Sequence, residues 1–354
     1  MKRRRSRRVK IGKVAVGGGA PVSVQSMTKT DTRDIKATVK QIKELEKKGC
    51  EIIRVAIPDR EAARVISKIK KKIKIPLIAD IHFDYRLALE ALENGADGIR
   101  INPGNIRDKE KIIQIIRKAK EKGIPIRIGV NSGSLDRKRY KGPLAQAMVR
   151  SAQDSIKIFE KEKFYEIIVS LKASDVLTTI EAYRLMAKRC NYPLHLGITA
   201  TGLPPSGIIK SALGIGSLLL EGIGDTIRVS LTGPPQEEVR VGHEILRALG
   251  LRKGIEIIAC PTCGRCEIDL IKIAKEVERR LNYSMFNVQC SISLKVAIMG
   301  CVVNGPGEAR EADIGIAGGE KIGVIFRKGR VIKKVKEKDL VSTLLKEIKN
   351  VLSV

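Results

Sequence analysis

Residues 76–102 read PLIADIHFDYRLALEALENGADGIRIN and contain one full repeat of the pattern that decides the fold. The apolar run Pro76–Ile81 is followed by an amphipathic stretch that stops at Asn94-Gly95, and the apolar run Gly98–Asn102 begins shortly afterwards. A glycine directly after the last helical residue is a common helix stop, because it adopts the left-handed conformation at little cost. The stretch therefore predicts a strand, a helix and a second strand.

The same alternation of short apolar runs and amphipathic runs extends from about residue 20 to about residue 250. Eight strand–helix units in this length predict an α/β fold that begins with a (β/α)8 TIM barrel, residues 1–250. A doubly wound open sheet is the alternative. The predicted strands are Val22–Met27, Ile52–Ala56, Pro76–Ile81, Gly98–Asn102, Pro125–Val130, Glu166–Leu171, Pro193–Thr199 and Asp225–Leu231.

The pattern changes after Gly250. Residues 251–354 predict a separate small α/β domain, and the boundary is expected near Gly250–Gly254. The expected elements of this domain are a strand at Ile255–Ala259, a helix at Ile268–Leu281, a strand at Leu294–Met299, a hairpin that turns at Lys328-Gly329 and a closing helix at Asp339–Leu352.

The composition argues against several classes of protein. The 354 residues carry a net charge of +29, but the basic residues are spread over nearly every predicted helix, and five Phe, six Tyr and no Trp offer few surfaces for stacking bases. We therefore expect no nucleic-acid partner, although a basic surface suits an acidic redox partner. Without an apolar run of about 18 residues or a signal segment, we expect a cytoplasmic protein with no membrane partner.

Four predicted strands carry an arginine between apolar neighbours, at Arg54, Arg100, Arg127 and Arg228. An arginine inside an apolar strand is costly unless it is paired. Residues two apart, such as Arg100 and Asn102, share one face of a strand. In a barrel that face points to the interior near the C-terminal mouth, where barrel enzymes keep their active sites.

Further polar side chains at the same strand ends are Asp80, His82, Asn131, Lys172 and Ser230. We predict that Arg54, Arg100, Arg127 and Lys172 form a cationic well at the barrel mouth. A highly charged anion is the ligand for such a cluster, and phosphate or diphosphate is the natural candidate. A salt bridge to a neighbouring carboxylate is the alternative for any single arginine.

The three histidines differ in their surroundings. His82 follows Asp80 at a strand end and is expected in the site. His195 lies inside a predicted strand, where a core histidine with one hydrogen bond and a site residue are equally good interpretations. His243 lies in a predicted helix and is expected at the surface. The spacing of these histidines does not predict a zinc site.

Cysteines are concentrated in the last third of the chain, in the segments Cys260–Cys266 and Gly300–Glu308. An odd total of seven argues against a secreted disulfide scaffold. The spacing of Cys260 and Cys263 suits a redox pair, a zinc site or a [4Fe–4S] cluster. Cys301 lies between a predicted strand and a Gly/Pro turn, and such turns offer backbone N–H groups to cluster sulfides.

The remaining cysteines are less informative. Cys266 would complete a set of four by spacing alone. Cys50 and Cys190 end predicted helices of the barrel and are expected to be structural, and the structural reading is also favoured for Cys290.

Nine segments along the chain together resemble one known family. The chain is similar to the bacterial 4-hydroxy-3-methylbut-2-enyl diphosphate synthases, which are two-domain enzymes that depend on flavodoxin or ferredoxin. The resemblance covers essentially the whole chain. The segments are VQSMT at 24–28, ADIH at 79–82, RINPGN at 100–105, GVNSGSL at 129–135, SLKAS at 170–174, LHLGIT at 194–199, EGIGDTIRVSL at 221–231, CPTCGRC at 260–266 and GCVVNGPGE at 300–308.

This resemblance implies a reductive ring opening in the non-mevalonate isoprenoid pathway. The cyclic diphosphate 2-C-methyl-D-erythritol 2,4-cyclodiphosphate would give (E)-4-hydroxy-3-methylbut-2-enyl diphosphate and water, with two electrons delivered singly by ferredoxin or flavodoxin. It also implies a [4Fe–4S] cluster held by Cys260, Cys263, Cys301 and Glu308, whose Glu-bound iron takes up a substrate oxygen. The implied diphosphate contacts are Arg54, His82, Arg100, Asn102, Arg127, Asn131, Lys172 and Ser230.

The resemblance further implies a homodimer in which the cluster domain of one chain covers the barrel mouth of the other. The chain departs from the family pattern at two positions. Ala200 stands where the family has a glutamate proposed to help with proton transfer, so the proton donor stays open, with Asp80 or a water as substitutes. Cys266 is unusual for the family and competes with Glu308 as fourth ligand, although Glu308 is favoured.

Together, Glu308, Asp80 and His82 are the expected catalytic residues. Two alternative functions remain at this point. One is a phosphate-ester lyase or aldolase barrel with a structural zinc domain. The other is a basic nucleic-acid-binding module, which requires salt-dependent binding to nucleic acid.

Overall fold

The computed structural model describes residues 2–102, 105–106, 108–283, 293–301, 310–319 and 322–352. The chain divides into two compact units, Met1–Leu251 and Arg252–Val354. Each unit has its own hydrophobic core. Among the described residues, no helix is both long and apolar enough to cross a membrane.

The first unit alternates strands and helices along the chain. Its strands are β1 (Val9–Ile11), β2 (Val14–Val16), β3 (Ser23–Met27), β4 (Ile52–Ala56), β5 (Leu77–Ile81), β6 (Gly98–Ile101), β7 (Ile126–Asn131), β8 (Ile167–Lys172), β9 (His195–Leu196) and β10 (Thr226–Ile227). Its helices are α1 (Ile35–Lys47), α2 (Arg60–Arg64), α3 (Ile66–Lys70), α4 (Tyr85–Glu93), α5 (Lys109–Lys122), α6 (Leu144–Lys161), α7 (Val176–Ala187), α8 (Ser206–Leu220) and α9 (Pro235–Ala248).

The strands β3 to β10 form one parallel eight-stranded sheet in the order β8-β7-β6-β5-β4-β3-β10-β9. An isolated parallel bridge between Val169 and Leu194 links the two ends of this order. The sheet therefore closes on itself, and the predicted barrel is confirmed over the open doubly wound sheet. The last two strands are shorter than predicted, because the chain leaves the ladder after Leu196 and Ile227 and continues as loops.

Helix α5 shows how the local sequence sets the ends and the buried face of a barrel helix. The carboxylate of Asp108 accepts a hydrogen bond from the backbone N–H of Glu110, and Gly123 ends the helix in the left-handed conformation with φ of 65°. Ile112, Ile116 and Ala119 recur at intervals of three and four residues and are buried. This spacing puts them on the face that packs on the barrel.

A β-hairpin of the strands β1 and β2 closes one end of the barrel, and the sequence analysis did not predict it. Its buried side chains, Ile11 among them, form a separate apolar cluster with Ile52, Ile78 and Ile168. These three isoleucines lie in the first or second residue of the barrel strands β4, β5 and β8. The hairpin therefore covers the N-terminal end of the barrel and leaves the C-terminal end for the site.

The second unit is a five-stranded sheet with helices on one face. Strands β11, β12 and β13 are parallel to one another, β14 is antiparallel to β13, and β15 is antiparallel to β14. The strand order is β11-β12-β13-β14-β15. This confirms the predicted small α/β domain, in which β13 was not foreseen. The elements are β11 (Ile255–Ala259), α10 (Leu270–Tyr283), β12 (Leu294–Met299), β13 (Ile314–Ala317), β14 (Ile322–Arg327), β15 (Arg330–Lys336) and α11 (Leu340–Leu352).

The two faces of this sheet carry different apolar clusters. Residues such as Ile298, Ile316 and Ile325 pack against α10 and α11. On the other face, Met299 and Phe326 belong to a smaller cluster that Cys260 joins.

The hairpin that closes the barrel generates a stability prediction. Ile11→Ala is expected to lower the free energy of unfolding of the barrel by about 3 kcal/mol, because truncating a buried isoleucine to alanine costs about 2–5 kcal/mol. Chemical denaturation followed by circular dichroism measures the change. Lys13→Ala in the exposed turn of the same hairpin is the control. An equal effect of the two substitutions would show that Ile11 contributes nothing by its burial.

Candidate active site

Charged side chains meet at the C-terminal end of the barrel because neighbouring parallel strands present them in register. Asp80 on β5, Arg100 on β6 and Arg127 on β7 lie side by side in one row across the sheet. Asn131 and Lys172 form a second row, at the ends of β7 and β8. Asp80, Arg100, Arg127 and Lys172 are all buried.

Asp80 is the carboxylate of one side of the site. Its oxygens lie 3.2 Å from Nη1 of Arg100, 3.5 Å from Nε of Arg54 and 3.5 Å from Nε2 of His82. Burial alone would raise the pKa of Asp80, but Arg54, the hydrogen bond with His82 and Arg100 together hold the pKa well below its usual range. Asp80 is therefore ionised at neutral pH and serves as an acceptor for its neighbours.

Arg100 lies across the neighbouring strand, where a glycine makes room for it. Its Nη2 donates to the carbonyl oxygen of Gly129 at 3.2 Å. A Cβ atom on Gly129 would lie 2.4 Å from Nε of Arg100, which is far inside contact distance. Only glycine at position 129 leaves space for the guanidinium.

Arg127 is the most deeply placed arginine of the site. Its Nη1 donates to Oε1 of Gln25 at 2.7 Å, whereas Nε and Nη2 have no hydrogen-bond partner among the described residues. Burial lowers the pKa of Arg127 well below its usual range, and Arg54 and Arg100 lower it further. A buried guanidinium whose donors lack partners is a good binding site for an anion, because an anion can accept hydrogen bonds from those donors.

Lys172 and His195 form a buried pair on the opposite side of the barrel. Nζ of Lys172 lies 3.3 Å from Nε2 of His195. Burial lowers the pKa of His195 well below its usual value, and Arg127 and Lys172 lower it further. Burial also lowers the pKa of Lys172, with Arg228 and Arg54 adding to the effect. A neutral His195 can accept a hydrogen bond from Lys172. His195 is therefore a buried histidine that contacts a residue of the predicted site.

The other predicted contacts surround this centre. The side chain of His82 is 46% exposed, and its Nδ1 lies 3.3 Å from Nδ2 of Asn105. Nδ2 of Asn102 donates to Oγ of Ser134 at 2.6 Å. Asn131 is half-buried at the end of β7, and Ser230 is half-buried in the loop after β10. The structure thus brings the eight predicted diphosphate contacts to one end of the barrel.

Glu238 and Arg228 are site residues that the predicted cationic well left out. Glu238 on α9 is only 1% exposed, and its carboxylate lies 3.6 Å from Nη2 of Arg228 and 3.2 Å from Nζ of Lys29. It also accepts from Oγ of Ser26 at 3.3 Å and from the backbone N–H of Leu231 at 3.1 Å. Burial and Arg54 lower the pKa of Arg228 to about 10.

Of these two residues, only Arg228 could be found from the sequence, because it is the fourth arginine that lies between apolar residues in a predicted strand. Glu238 could not, since its partners lie on the barrel strand β3, the loop after it and the loop after β10. Sequence reasoning cannot place a helical glutamate beside residues 212 positions away.

The charges of the barrel mouth do not balance. Five cationic side chains stand against two carboxylates, Asp80 and Glu238, which leaves an excess of three positive charges before the more exposed Lys29 beside Glu238 is counted. Buried like charges repel strongly, and a bound counter-ion of high charge would relieve that repulsion. The cations are Arg54, Arg100, Arg127, Lys172 and Arg228.

Two expectations about other residues have different outcomes. His243 is wrong as a surface residue: it is buried, and its Nε2 lies 3.0 Å from the carbonyl oxygen of Gly49. The helix face that carries it packs inward beside Val239 and Leu246. Ala200 is exposed with φ of 52°, so this position offers no carboxylate to the site.

Cysteines of the second unit lie at the C-terminal ends of two adjacent parallel strands. Cys260 directly follows β11, and its backbone N–H donates to the carbonyl oxygen of Ile298 at 3.1 Å. Cys301 comes two residues after β12 and is buried, while Cys263 is exposed. The backbone N–H of Gly300 points at Sγ of Cys260, at 3.4 Å. Such N–H to sulfur bonds are what a metal-bound thiolate accepts.

Cys266 is occupied differently from the other cysteines. Its Sγ donates to the carbonyl oxygen of Ile268 at 3.2 Å, and a Cβ on Gly300 would meet that sulfur at 2.5 Å. The residue precedes helix α10 rather than starting it. Within the described residues, no three His, Cys, Asp or Glu side chains converge as metal ligands. Glu308 and Cys290 lie outside the described residues.

The donor set still fits an iron–sulfur cluster in kind. Cys260 and Cys301 follow adjacent strands, Cys263 lies in the loop after β11, and one backbone donor already faces a sulfur. Soft sulfur donors select iron–sulfur clusters or zinc over hard cations.

Family models match both units. A model described as the GcpE TIM-barrel domain matches residues 6–243, and one described as the GcpE protein C-terminal domain matches residues 256–350.

Curated relatives match over almost the whole chain. The chain is 59% identical over 355 residues to the 4-hydroxy-3-methylbut-2-en-1-yl diphosphate synthase (flavodoxin) of Clostridium perfringens, covering 99% of this chain and 100% of the relative. It is 60% identical over 350 residues to the protein of the same name from Caldanaerobacter subterraneus subsp. tengcongensis, covering 98% of this chain and 97% of the relative.

Solved structures show the barrel fold in distant proteins. Dihydropteroate synthase from Yersinia pestis aligns with a TM-score of 0.51 at 13% identity, over 69% of this chain and 98% of that chain. A Plasmodium falciparum HPPK-DHPS aligns with a TM-score of 0.52 at 14% identity, over 69% of this chain and 48% of that chain. At such identities the likeness concerns the fold alone.

Glu238 is expected to stabilise the barrel mouth. Glu238→Ala should lower the free energy of unfolding of the barrel by about 3 kcal/mol, because removing one partner of a buried ion pair leaves Arg228 uncompensated. Glu237→Ala is the matched control. Glu237 lies next to Glu238 on α9 but makes a surface ion pair with Arg240, so its loss should cost at most about 0.5 kcal/mol. Equal effects in chemical denaturation would contradict the assigned role of Glu238.

Lys172 is expected to make anion binding depend on pH. Its pKa is lowered, so the ammonium loses its proton at lower pH than an ordinary lysine, and affinity for pyrophosphate falls as pH rises through that pKa. Isothermal titration calorimetry from about pH 6 to about pH 9 measures this, with Lys172→Arg as the control because an arginine at this position keeps its charge to higher pH than a lysine does. The same pH dependence in both proteins would rule out Lys172 as its cause.

Proposed function

Because the chain belongs to the GcpE family of 4-hydroxy-3-methylbut-2-en-1-yl diphosphate synthases, we propose that its barrel mouth binds the cyclic diphosphate substrate and its second unit holds the redox cofactor. The family assignment rests on matches to both units and on about 59% identity over nearly the full length. The observation that carries the substrate assignment is the excess of three positive charges at the barrel mouth.

The enzyme is an oxidoreductase of the non-mevalonate isoprenoid pathway. It converts 2-C-methyl-D-erythritol 2,4-cyclodiphosphate to (E)-4-hydroxy-3-methylbut-2-enyl diphosphate. Two electrons and one proton enter, the bond from carbon to the ring phosphate oxygen breaks and leaves that oxygen as a phosphate oxyanion, and one hydroxyl group leaves with the proton as water. The phosphate-ester lyase with a zinc domain is not favoured.

The proposed binding mode assigns the phosphates to the cations without a carboxylate partner. Among the described residues, Nε and Nη2 of Arg127 have no hydrogen-bond partner, and the hydrogen-bond partner of Nζ of Lys172 is the neutral His195. Arg54 and Arg100, held by Asp80, and Arg228, held by Glu238, close the sides of the anion site. Asn102, Asn131, His82 and Ser230 supply neutral hydrogen bonds at the rim.

The proposed proton donor is a water at the barrel mouth, and the proposed role of His82 is to help bind the substrate there. Asp80 has a strongly lowered pKa and stays ionised, so it is an acceptor for Nε2–H of His82 and orients the ring. The amide of Asn105 faces Nδ1, which favours the tautomer with the proton on Nε2. Ala200 cannot donate a proton, and His82 is the exposed histidine that contacts Asp80 at the mouth.

The proposed cofactor is a [4Fe–4S] cluster held by Cys260, Cys263, Cys301 and Glu308. When bound, such a cluster supplies electrons one at a time and an exchangeable iron site that acts as a Lewis acid. The N–H of Gly300 would hydrogen-bond to the Cys260 thiolate. Cys266 stays outside the ligand set, with its thiol directed to a backbone carbonyl.

The proposal includes a flavodoxin or ferredoxin as electron donor, a homodimer and a cytoplasmic location. The names of the curated relatives include flavodoxin. In the proposed dimer, the second unit of one chain covers the barrel mouth of its partner and excludes water from the reaction.

A single substitution tests the cofactor assignment. Protein prepared without air is expected to be brown, to absorb near about 400 nm and to contain iron and sulfide. Cys301→Ser should lose the colour, the iron and the synthase activity, yet bind pyrophosphate at the barrel as before. Absorption, metal analysis and calorimetry measure the three properties.

Matched cysteine variants make the result specific. Cys266→Ser and Cys190→Ser should keep the iron content, because neither residue belongs to the proposed ligand set. Zinc in place of iron in the unaltered protein would favour the structural zinc domain. Loss of iron in Cys266→Ser would replace Glu308 by Cys266 as the fourth ligand.

A further inference from the structure

The hairpin of β14 and β15 carries nearly all the net charge of the second unit. Residues 252–354 contain nineteen basic and twelve acidic residues. Seven of the basic residues and one of the acidic residues lie within Arg327–Lys338. The rest of the unit, with twelve basic and eleven acidic residues, is close to neutral. A charge confined to one hairpin of an otherwise neutral unit indicates a surface with a specific role.

The basic side chains of this hairpin are exposed and mostly free of ion pairs. Arg330, Lys334 and Lys336 are exposed, and none of them makes an ion pair within the described part of the chain. By the strand register, Lys334 and Lys336 share a face with Val331. Arg330 at the turn and Lys333 lie on the other face, where Nζ of Lys333 lies 2.5 Å from Oε1 of Glu347. Val331 is 57% exposed among these cations. The surface thus combines unpaired positive charge with a small apolar centre.

The strand register connects this surface to the cysteines. Lys334 lies opposite Val324, which lies opposite Ala317, which in turn lies opposite Met299. Cys260 is the next residue of that row, because Ala259 pairs with the residue before Met299. Four strand spacings of about 4.8 Å separate Lys334 from Cys260, roughly 19 Å in all.

We propose that the hairpin Arg327–Lys338 is the docking surface for an acidic electron-transfer protein, a flavodoxin. This rests on the proposed function, in which the second unit receives electrons. Weak redox complexes bury small, charged interfaces of at most about 600 Å² per partner, and such a footprint is roughly 24 Å across. A partner anchored on this hairpin therefore reaches the cysteine end of the sheet. Complementary charge would speed the encounter without making the complex tight.

Edge protection is the simpler explanation of lysines on this strand. β15 is the last strand of the sheet order, and lysines on an edge strand prevent pairing with other chains. Either sign of charge protects an edge, whereas only positive charge attracts an acidic protein. Charge reversal separates the two explanations.

The experiment uses the triple variant Arg330→Glu, Lys334→Glu and Lys336→Glu of the cluster-loaded enzyme. Turnover is measured with a reduced flavodoxin and, separately, with dithionite and methyl viologen. The KM for flavodoxin is expected to rise at least about tenfold and to lose most of its salt dependence. The rate with the small reductant should stay unchanged, because the substrate site and the cofactor are untouched.

A second triple variant is the matched control. Lys40→Glu, Lys43→Glu and Lys47→Glu reverse three equally exposed charges on α1 of the basic first unit. An unchanged KM in the hairpin variant, or an equal rise in the α1 variant, would overturn the proposal.

A change of oligomeric state in gel filtration would assign the hairpin to a second copy of the chain instead. If the hairpin triple variant proves unstable, Lys334→Gln alone should still raise the KM. Failure of the small reductant to drive the unaltered enzyme would contradict the proposed function and not the docking surface.

Discussion

Repulsion among buried cations at the barrel mouth is the constraint on which the rest of the site depends. Burial lowers the pKa values of Arg127, Lys172 and Arg228, and nearby arginines such as Arg54 lower them further. Three of the cations have a neighbour that fits them closely. Gln25 accepts a hydrogen bond from Arg127, the neutral His195 lies beside Lys172, and the absence of a side chain at Gly129 leaves space for Arg100. The barrel keeps these charges together because the strand register leaves their Cα atoms no freedom to separate.

A barrel that stores repulsion at one end must be stabilised elsewhere. The opposite end is closed by the β1–β2 hairpin, whose apolar side chains pack on Ile52, Ile78 and Ile168. These isoleucines belong to strands whose other ends carry Arg54, Asp80 and Lys172. Stability and function are thus separated along each strand, with packing at its start and charge at its end.

The sequence was sufficient for the elements whose signal is local. Strand arginines such as Arg100, the glycine stop at Gly123 and the cysteine spacing are read from a few neighbouring residues, and the barrel and the small α/β domain follow from them. It was insufficient where a side chain acts across the fold. Glu238 and the buried His243 lie on a helix whose pattern does not reveal what its inner face touches, and two short strands end where the loops of the site begin.

The two carboxylates divide the cations in a way that suits the reaction and not merely the substrate. Asp80 pairs with Arg54 and Arg100, Glu238 pairs with Arg228, and an excess of three positive charges remains. A cyclic diphosphate carries one negative charge on each phosphorus, two in all, and breaking its carbon–oxygen bond leaves a third charge on the released phosphate oxygen. The mouth is therefore better matched in charge to the opened ring than to the closed one. Interactions that strengthen as charge develops lower the barrier, whereas those that bind the closed ring equally well do not. On this reasoning the positive charge that the closed ring leaves unbalanced would be balanced as the ring opens, and we propose that this difference lowers the barrier.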